Sequence, residues 1–268
     1  MAHAHAHDDL VVAGRQGPVL TLTLNRPSAR NALSEELMRE LQAGLDEAAV
    51  ARDIRVVIIA ANGPAFSAGH DLKQMTPHWK DADEGRDYFT ALLTQCAQLM
   101  QSIVRLPKPV IAQVHGIATA AGCQLVASCD LAVAAIGARF ATPGVNIGLF
   151  CSTPMVALSR NVARKHAMEL LLTGDMIDAE RAAEIGLINR VVAGEALVSE
   201  TMKLAQHIAS KSAVSIKIGK DAFYRQLEMG LPDAYAFASE VMTRNMVEAD
   251  AREGICAFID KRDPKWES

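Results

Sequence analysis

The run "RVVIIAA", residues 55–61, constrains this chain more than any other stretch of its length. It is short, β-branched and apolar at successive positions. That is the pattern of a strand buried in the middle of a sheet, covered on both faces. The flanking sequence alternates strand and helix signals. "VLTLTL" (19–24) alternates as a strand does, and Asn25 and Pro27 stop it. Ser34 is placed to cap a helix whose first turn carries Glu35 and Glu36, suited to the positive end of the helix dipole. Leu33, Leu37, Leu41 and Leu45 recur every four residues and form one buried stripe.

The alternation continues. "NGPAFSAGHD" reads as a loop, and 81–105 as a helix ended by Pro107 and Pro109. "PVIAQVHG" reads as a strand, followed by a turn and an apolar run from near Ala120. "DLAVAA" (130–135) is a further strand, and "RFATP" a short edge or turn strand. From about Thr153 the pattern is helical, with one more strand near "INRVV". The expected class is α/β, with a core over 10–195 and a helical segment over 196–268. Residues 1–9, "MAHAHAHDD", are set aside as a disordered tail or cloning remnant. Their alternating His3, His5 and His7 are a candidate metal tract only within that tail.

Composition narrows the function. A chain of 268 residues, 50% hydrophobic, can bury a sizeable core. Its net charge of −4 is interspersed, and no basic stripe points to nucleic acid. With 4% aromatics, stacking platforms for single strands are not expected. No apolar run reaches the roughly 18 residues of a membrane span. The start lacks the apolar region of a signal peptide and the arginines of a transit peptide. Five scattered cysteines without a C-x-x-C pair indicate a reducing compartment. This would be the cytoplasm, or a compartment such as the mitochondrial matrix after processing.

Dinucleotide and mononucleotide glycine loops, the serine elbow and the zinc helix are all missing. Two glycine turns remain, "FSAGHDLK" (66–73) and "HGIATAAGCQ" (115–124), each after a strand. Small side chains let another molecule approach the backbone. If the second turn opens a helix near Ala120, its first N–H groups lack internal partners and suit an oxyanion. Ordinary tight turns are the alternative reading of each motif alone.

Taken together, six stretches resemble the enoyl-CoA hydratase/isomerase, or crotonase, family. They are "LTLNRPSARNALS", "AFSAGHDLK", "PKPVIAQVHGIATAAGCQLVASCDLAVAA", "RFATPGVNIGL", "LLLTGDMIDAERAAEIGLINRVV" and "EGICAFIDKR", in family order from about residue 10 to 262. The resemblance implies a spiral of strand–strand–helix repeats and a C-terminal helical segment that builds trimers, often paired into hexamers. It implies an acyl-CoA substrate, lyase or isomerase chemistry, and no separate cofactor or metal. Its oxyanion hole falls on the backbone N–H groups of His70 and Ala121. Ala29, Arg30 and Ala32 match the CoA-contacting loop, where Arg30 is a charge-assisted donor to phosphate. Lys73 is a second such donor. Ala68, Asp71, Leu72, Ile117, Gly122 and Gly144 are further candidate contacts. Phe258 and Lys261 match residues that approach CoA from the adjacent subunit.

A hydratase of this family uses two glutamates, and those positions here hold Gln124 and Gly144. Neither transfers protons, and a positioned acid or base contributes about 10²–10⁴ in rate, so conventional hydration is not expected. The isomerases also generally need a pocket carboxylate, several at the Gly144 position. Restoring both glutamates is expected to raise hydration if the pocket is otherwise intact. His70 is a candidate acid or base, with Asp71 as a candidate orienting group; a hydrogen bond within the loop is the alternative. Asn146, two residues past Gly144, faces the same side if the segment is extended, and like Gln124 is a candidate for holding water. Cys151 is a candidate nucleophile and His115 a candidate interior strand end, with packing the alternative for the cysteine. Three functional readings stand: an active acyl-CoA enzyme, an inactive or regulatory acyl-CoA binder, and a structural protein that binds no CoA.

Overall fold

The computed structural model describes residues 9–267. The expected tail, with His3, His5 and His7, lies outside them apart from Asp9. The strands are β1 (Val11–Gln16), β2 (Val19–Leu24), β3 (Val56–Ala61), β4 (Ala65–Ser67), β5 (Val110–Val114), β6 (Ile117–Thr119), β7 (Leu131–Ala135), β8 (Arg139–Ala141), β9 (Ile177–Asp178) and β10 (Arg190–Val192). The helices are α1 (Glu35–Val50), α2 (Leu72–Met75), α3 (Arg86–Arg105), α4 (Ala121–Ser128), α5 (Ser152–Asn161), α6 (Arg164–Thr173), α7 (Ala179–Glu184), α8 (Leu197–Ala209), α9 (Ala213–Gln226), α10 (Leu231–Met246) and α11 (Ala249–Ile259).

Two sheets result. One runs β1-β2-β3-β5-β7-β10, parallel except for the β1–β2 hairpin; the other runs β4-β6-β8-β9. The pairs β3/β4, β5/β6 and β7/β8 each give one strand to each sheet, and helices follow each pair. This is the spiral of strand–strand–helix repeats.

The "RVVIIAA" strand sits third in the larger sheet and is buried on both faces. Val57 and Ile59 point into the main core with Leu37, Leu41 and Leu45 of α1 and Leu99 of α3. Val56, Ile58 and Ala60 point the other way, onto Leu197 and Ala205 of α8. Burying a side chain such as Leu197 contributes about 1.5–3 kcal/mol. The helical segment from 196 onward therefore begins by covering the sheet. Ser34 caps α1 as expected, its side chain accepting from the Leu37 N–H.

A buried polar latch ties α9 to the sheet. Lys220 Nζ lies 2.6 Å from Asp130 Oδ2 and also donates to the carbonyls of Ile103 and Lys108. Tyr224 Oη donates to Asp130 Oδ1 (2.9 Å), and the Val110 N–H to Oδ2. Burial pushes the Lys220 amine below its usual range, and Asp130 pulls it back in part. Every polar atom of the pair is matched, as a buried ion pair requires.

Several expectations need correction. The "NGPAFSAGHD" loop contains β4, the turn after "PVIAQVHG" contains β6, and β1 was not foreseen. Strands of three residues are too short to show alternation. The helix expected over 81–105 starts at Arg86, because Gly85 turns left-handed (φ +80°) and Asp83 caps the Gly85 and Asp87 N–H groups.

Candidate active site

The first wall of the site is backbone against backbone. Strands β4 and β6 are parallel neighbours, and both end in glycine turns. Gly69 takes φ +92°, and a Cβ there would lie 2.9 Å from Ala120 Cβ and 3.3 Å from the Ala121 nitrogen. A Cβ on Gly122 would meet the Ser67 carbonyl oxygen at 2.2 Å. Both glycines are needed because the turns touch. Ala120 itself is left-handed, with φ +50° and ψ −119°, a state costing about 1–3 kcal/mol for a residue with a side chain. Its N–H donates to Ala141 O at 2.9 Å, which holds it there.

This packing sets two N–H groups on adjoining turns. Ala121 opens α4, so its N–H has no carbonyl four residues back to bond. His70 follows Gly69, whose carbonyl accepts from the Leu33 N–H at 2.7 Å.

Unsatisfied polar atoms occur on residues whose backbone adjoins Ala120. Five buried side-chain N and O atoms lack a partner among the described residues: Nδ1 and Nε2 of His70, Gln124 Oε1, Thr142 Oγ1 and Tyr88 Oη. The first four belong to residues anchored on Ala120. Gly69, before His70, packs on it; Gln124 N–H donates to its carbonyl; Thr142 follows Ala141, which accepts its N–H. Gln124 is 5% exposed and Thr142 fully buried. Burial holds the His70 imidazole below its ordinary value, opposed in part by the Leu33 backbone. The ring is therefore neutral at pH 7. The fifth atom lies on α3, where the Tyr88 ring stacks 3.5 Å from His78.

Asp71 does not orient His70. Its carboxylate pairs with Arg26 at 2.5 Å and caps α2 through the Lys73 and Gln74 N–H groups. Burial would raise this carboxyl, but Arg26 and those N–H groups outweigh it and hold it below the usual range. No hydrogen bond within the 66–73 turn reaches the His70 ring, the alternative expected from sequence; the nearby Leu33 backbone belongs to the preceding loop.

The second wall follows β8. Pro143–Ile147 form a 3-10 turn, and Gly144 is enclosed there. A Cβ on it would lie 2.7 Å from Leu149 O and 2.9 Å from Cys151 Sγ. A glutamate thus does not fit unless 144–151 moves, which corrects the expectation that both glutamates can simply be restored. Asn146 is corrected too. A 3-10 turn does not put i and i+2 on one face, and Asn146 is exposed with Nδ2 only 3.0 Å from the Cβ position of Gly174. Cys151 is buried, and burial pushes its thiol up, offset in part by the Gly144 backbone. Neighbouring Cys123 is pushed up to about 12, chiefly by burial. Neither supplies a thiolate at neutral pH. His115 is not in the packed interior; it is part-exposed and its Nε2 donates to Gly63 O at 2.8 Å.

The loop matched to CoA contacts is pinned beside the first wall. Asn31, left-handed at φ +51° and fully buried, accepts from the Arg26 N–H and donates to the carbonyls of Asn62 and Ala65. Ser67 Oγ donates to Asn31 O, and the Ala68 N–H to Arg30 O. Ala32 is buried, Ala29 and Ile117 partly so, and Arg30, Leu72 and Lys73 are exposed. Phe258 is 84% exposed. It lies near the end of α11, and Lys261 just past it; α11 packs on α9 and α10 rather than on either wall. A separate cavity of about 620 Å³ between α1 and α3, lined by Arg39, Gln95 and Arg105, touches none of these residues. Thr142 escaped the sequence reading; its only signal was its place before Pro143.

A family model described as enoyl-CoA hydratase/isomerase matches residues 14–268. The mouse (Mus musculus) enoyl-CoA hydratase domain-containing protein 3, mitochondrial, is 47% identical over 265 residues, covering 99% of this chain and 87% of its own. A crystal structure of an enoyl-CoA hydratase from Mycobacterium smegmatis superposes with a TM-score of 0.92 at 50% identity, covering 97% of this chain and 100% of that one. The crystal structure of human enoyl coenzyme A hydratase domain-containing protein 3 gives a TM-score of 0.91 at 46% identity, covering 96% and 100%.

Proposed function

The chain belongs to the enoyl-CoA hydratase/isomerase family, and from that premise we propose that it binds an acyl-CoA and acts at the α- and β-carbons of the thioester. The carrying observation is the close approach of Gly69 to Ala120 and Ala121, which supports an oxyanion hole made by the His70 and Ala121 N–H groups. There they hold the thioester oxygen as it gains charge. A single preorganised donor of this kind is typically worth about 10²–10³ in rate. The thioester is the substrate, and no further cofactor is invoked.

CoA lies along Ala29, Arg30, Ala32, Ala68, Leu72 and Lys73. Arg30 and Lys73 supply exposed cations for its phosphates, and Asp71 holds their loop through Arg26. Ile117, Gly122 and Gly144 line the acyl side. Phe258 and Lys261 serve a neighbouring subunit. Exposed Leu231, Tyr235, Phe258 and Ile259 support a homotrimer, alone or paired; light scattering measures its mass. Four buried free cysteines suit a reducing compartment. Among the described residues no helix is long and apolar enough to cross a membrane.

Efficient two-glutamate hydration is not part of this reading. Gln124 carries no acid, and Gly144 is walled in by Leu149 and Cys151. The enclosed Gly144 also favours a second reading, an acyl-CoA binder with little or no turnover. Calorimetric titration with acetyl-CoA and crotonyl-CoA, alongside a turnover panel, separates the two. Binding with turnover supports the first reading, and binding without turnover supports the second. No binding removes both.

A further inference from the structure

Four of the five unpartnered buried polar atoms among the described residues belong to residues whose backbone adjoins Ala120, and an unsatisfied buried group costs about 1–3 kcal/mol. Their chemistry is specific. Gln124 Oε1 only accepts. Thr142 Oγ1 donates and accepts. A neutral imidazole offers one N–H and one lone pair. No carboxylate has been placed with them: Asp71 faces Arg26, and positions 124 and 144 hold an amide and a glycine. The imidazole is the one group among these residues with a basic lone pair.

We infer that the His70 side chain, buried with both ring nitrogens unpartnered beside the first wall, is the site's proton-transfer group, so that the chemistry is exchange of the α-proton rather than addition of water. The inference rests on the acyl-CoA reading above. In the step, the imidazole lone pair takes the α-proton. The C–H electron pair forms the Cα–C double bond, and the thioester carbonyl pair moves onto oxygen between the His70 and Ala121 N–H groups. Imidazolium exchanges its proton with water and returns one to Cα. No oxidant, reductant or second substrate is consumed. Addition of water to a β-carbon would need a second group to activate the water, and the enclosed Gly144 does not provide it.

The test is deuterium wash-in to the α-carbon of butyryl-CoA in heavy water, read by proton NMR, with binding measured in parallel by calorimetry. The protein should exchange the α-protons. His70→Ala, which keeps the backbone N–H, should bind butyryl-CoA within about threefold of the parent and exchange about 10²–10⁴ more slowly. Free imidazole should restore part of that loss. His70→Gln, which keeps the volume, should match His70→Ala in rate. Binding without exchange, or exchange undiminished in both His70 variants, overturns the inference and leaves the acyl-CoA reading standing. Failure to bind butyryl-CoA overturns both.

Discussion

The two walls of the site were built to different rules. On the first, Ser67–His70 and Thr119–Gly122 press main chain on main chain, with glycines where no Cβ fits. On the second, the 142–151 segment folds over its own glycine and fills the space with a carbonyl and a thiol. Shape on the first wall depends on backbone, and backbone is what an oxyanion needs. Shape on the second depends on what side chain stands at 144, and there the chain has none. The first wall exposes main chain, and the second leaves no room for a side chain at 144.

Substitutions can probe this contrast. Gly122→Ala should do most damage, because its methyl would meet the Ser67 carbonyl at 2.2 Å, with backbone on both sides of the contact. A loss of about 3 kcal/mol or more, roughly 10 °C in Tm for a chain of this size, should appear in calorimetric melting, with loss of acyl-CoA binding. Gly144→Ala should cost less, about 1–3 kcal/mol, because its nearest contact, the Leu149 carbonyl oxygen at 2.7 Å, is less close and Leu149 lies in an exposed segment. Acyl-CoA binding should survive it. If Gly144→Ala were the more harmful, the walls would not differ as described. Gln124→Glu with Gly144→Glu should melt lower than the parent and show no gain in crotonyl-CoA hydration. A gain would show that the second wall opens.

Asp71→Asn should have the smallest effect, about 0.5–1 kcal/mol at neutral pH, since Asn still caps a helix. The pH dependence follows from the depressed carboxyl of Asp71. Its contribution is complete above the unfolded value of about 3.9 and is lost as pH falls through the lower folded value. Melting of the parent and the variant should therefore differ at pH 7 and converge in acid.

The same contrast explains what could be read in advance. "RVVIIAA", the leucine stripe of α1 and the Ser34 cap are local patterns, and each forms as expected. So do the two glycine turns, because a glycine needed for close approach is visible as a residue type. The repeat of the spiral was not visible. It resides in strand pairing, and β4, β6 and β8 contribute three residues each, too few to carry a period. The second wall was misread for a related reason. Asn146 was placed on the face of Gly144 by assuming an extended chain, whereas Pro143 starts a 3-10 turn. Thr142 and the partner of Asp71 depend on what folds against them from elsewhere in the chain.

The latch at Asp130 has a consequence for how the molecule is made. Asp130 stands at the exit of α4, the helix that carries Ala121 and Gln124. Its cation comes 90 residues later and its phenol 94 residues later. A chain emerging from the ribosome, amino end first, presents all the strands and both glycine turns before that amine exists. Until then the carboxylate has the Val110 N–H and water, and a sheet that closed early would strand a charge at a cost of several kcal/mol. The order of synthesis thus favours a loose α4 exit until residue 220 arrives, and a nascent chain stopped short of it would carry both turns of the site with its last helix unfastened.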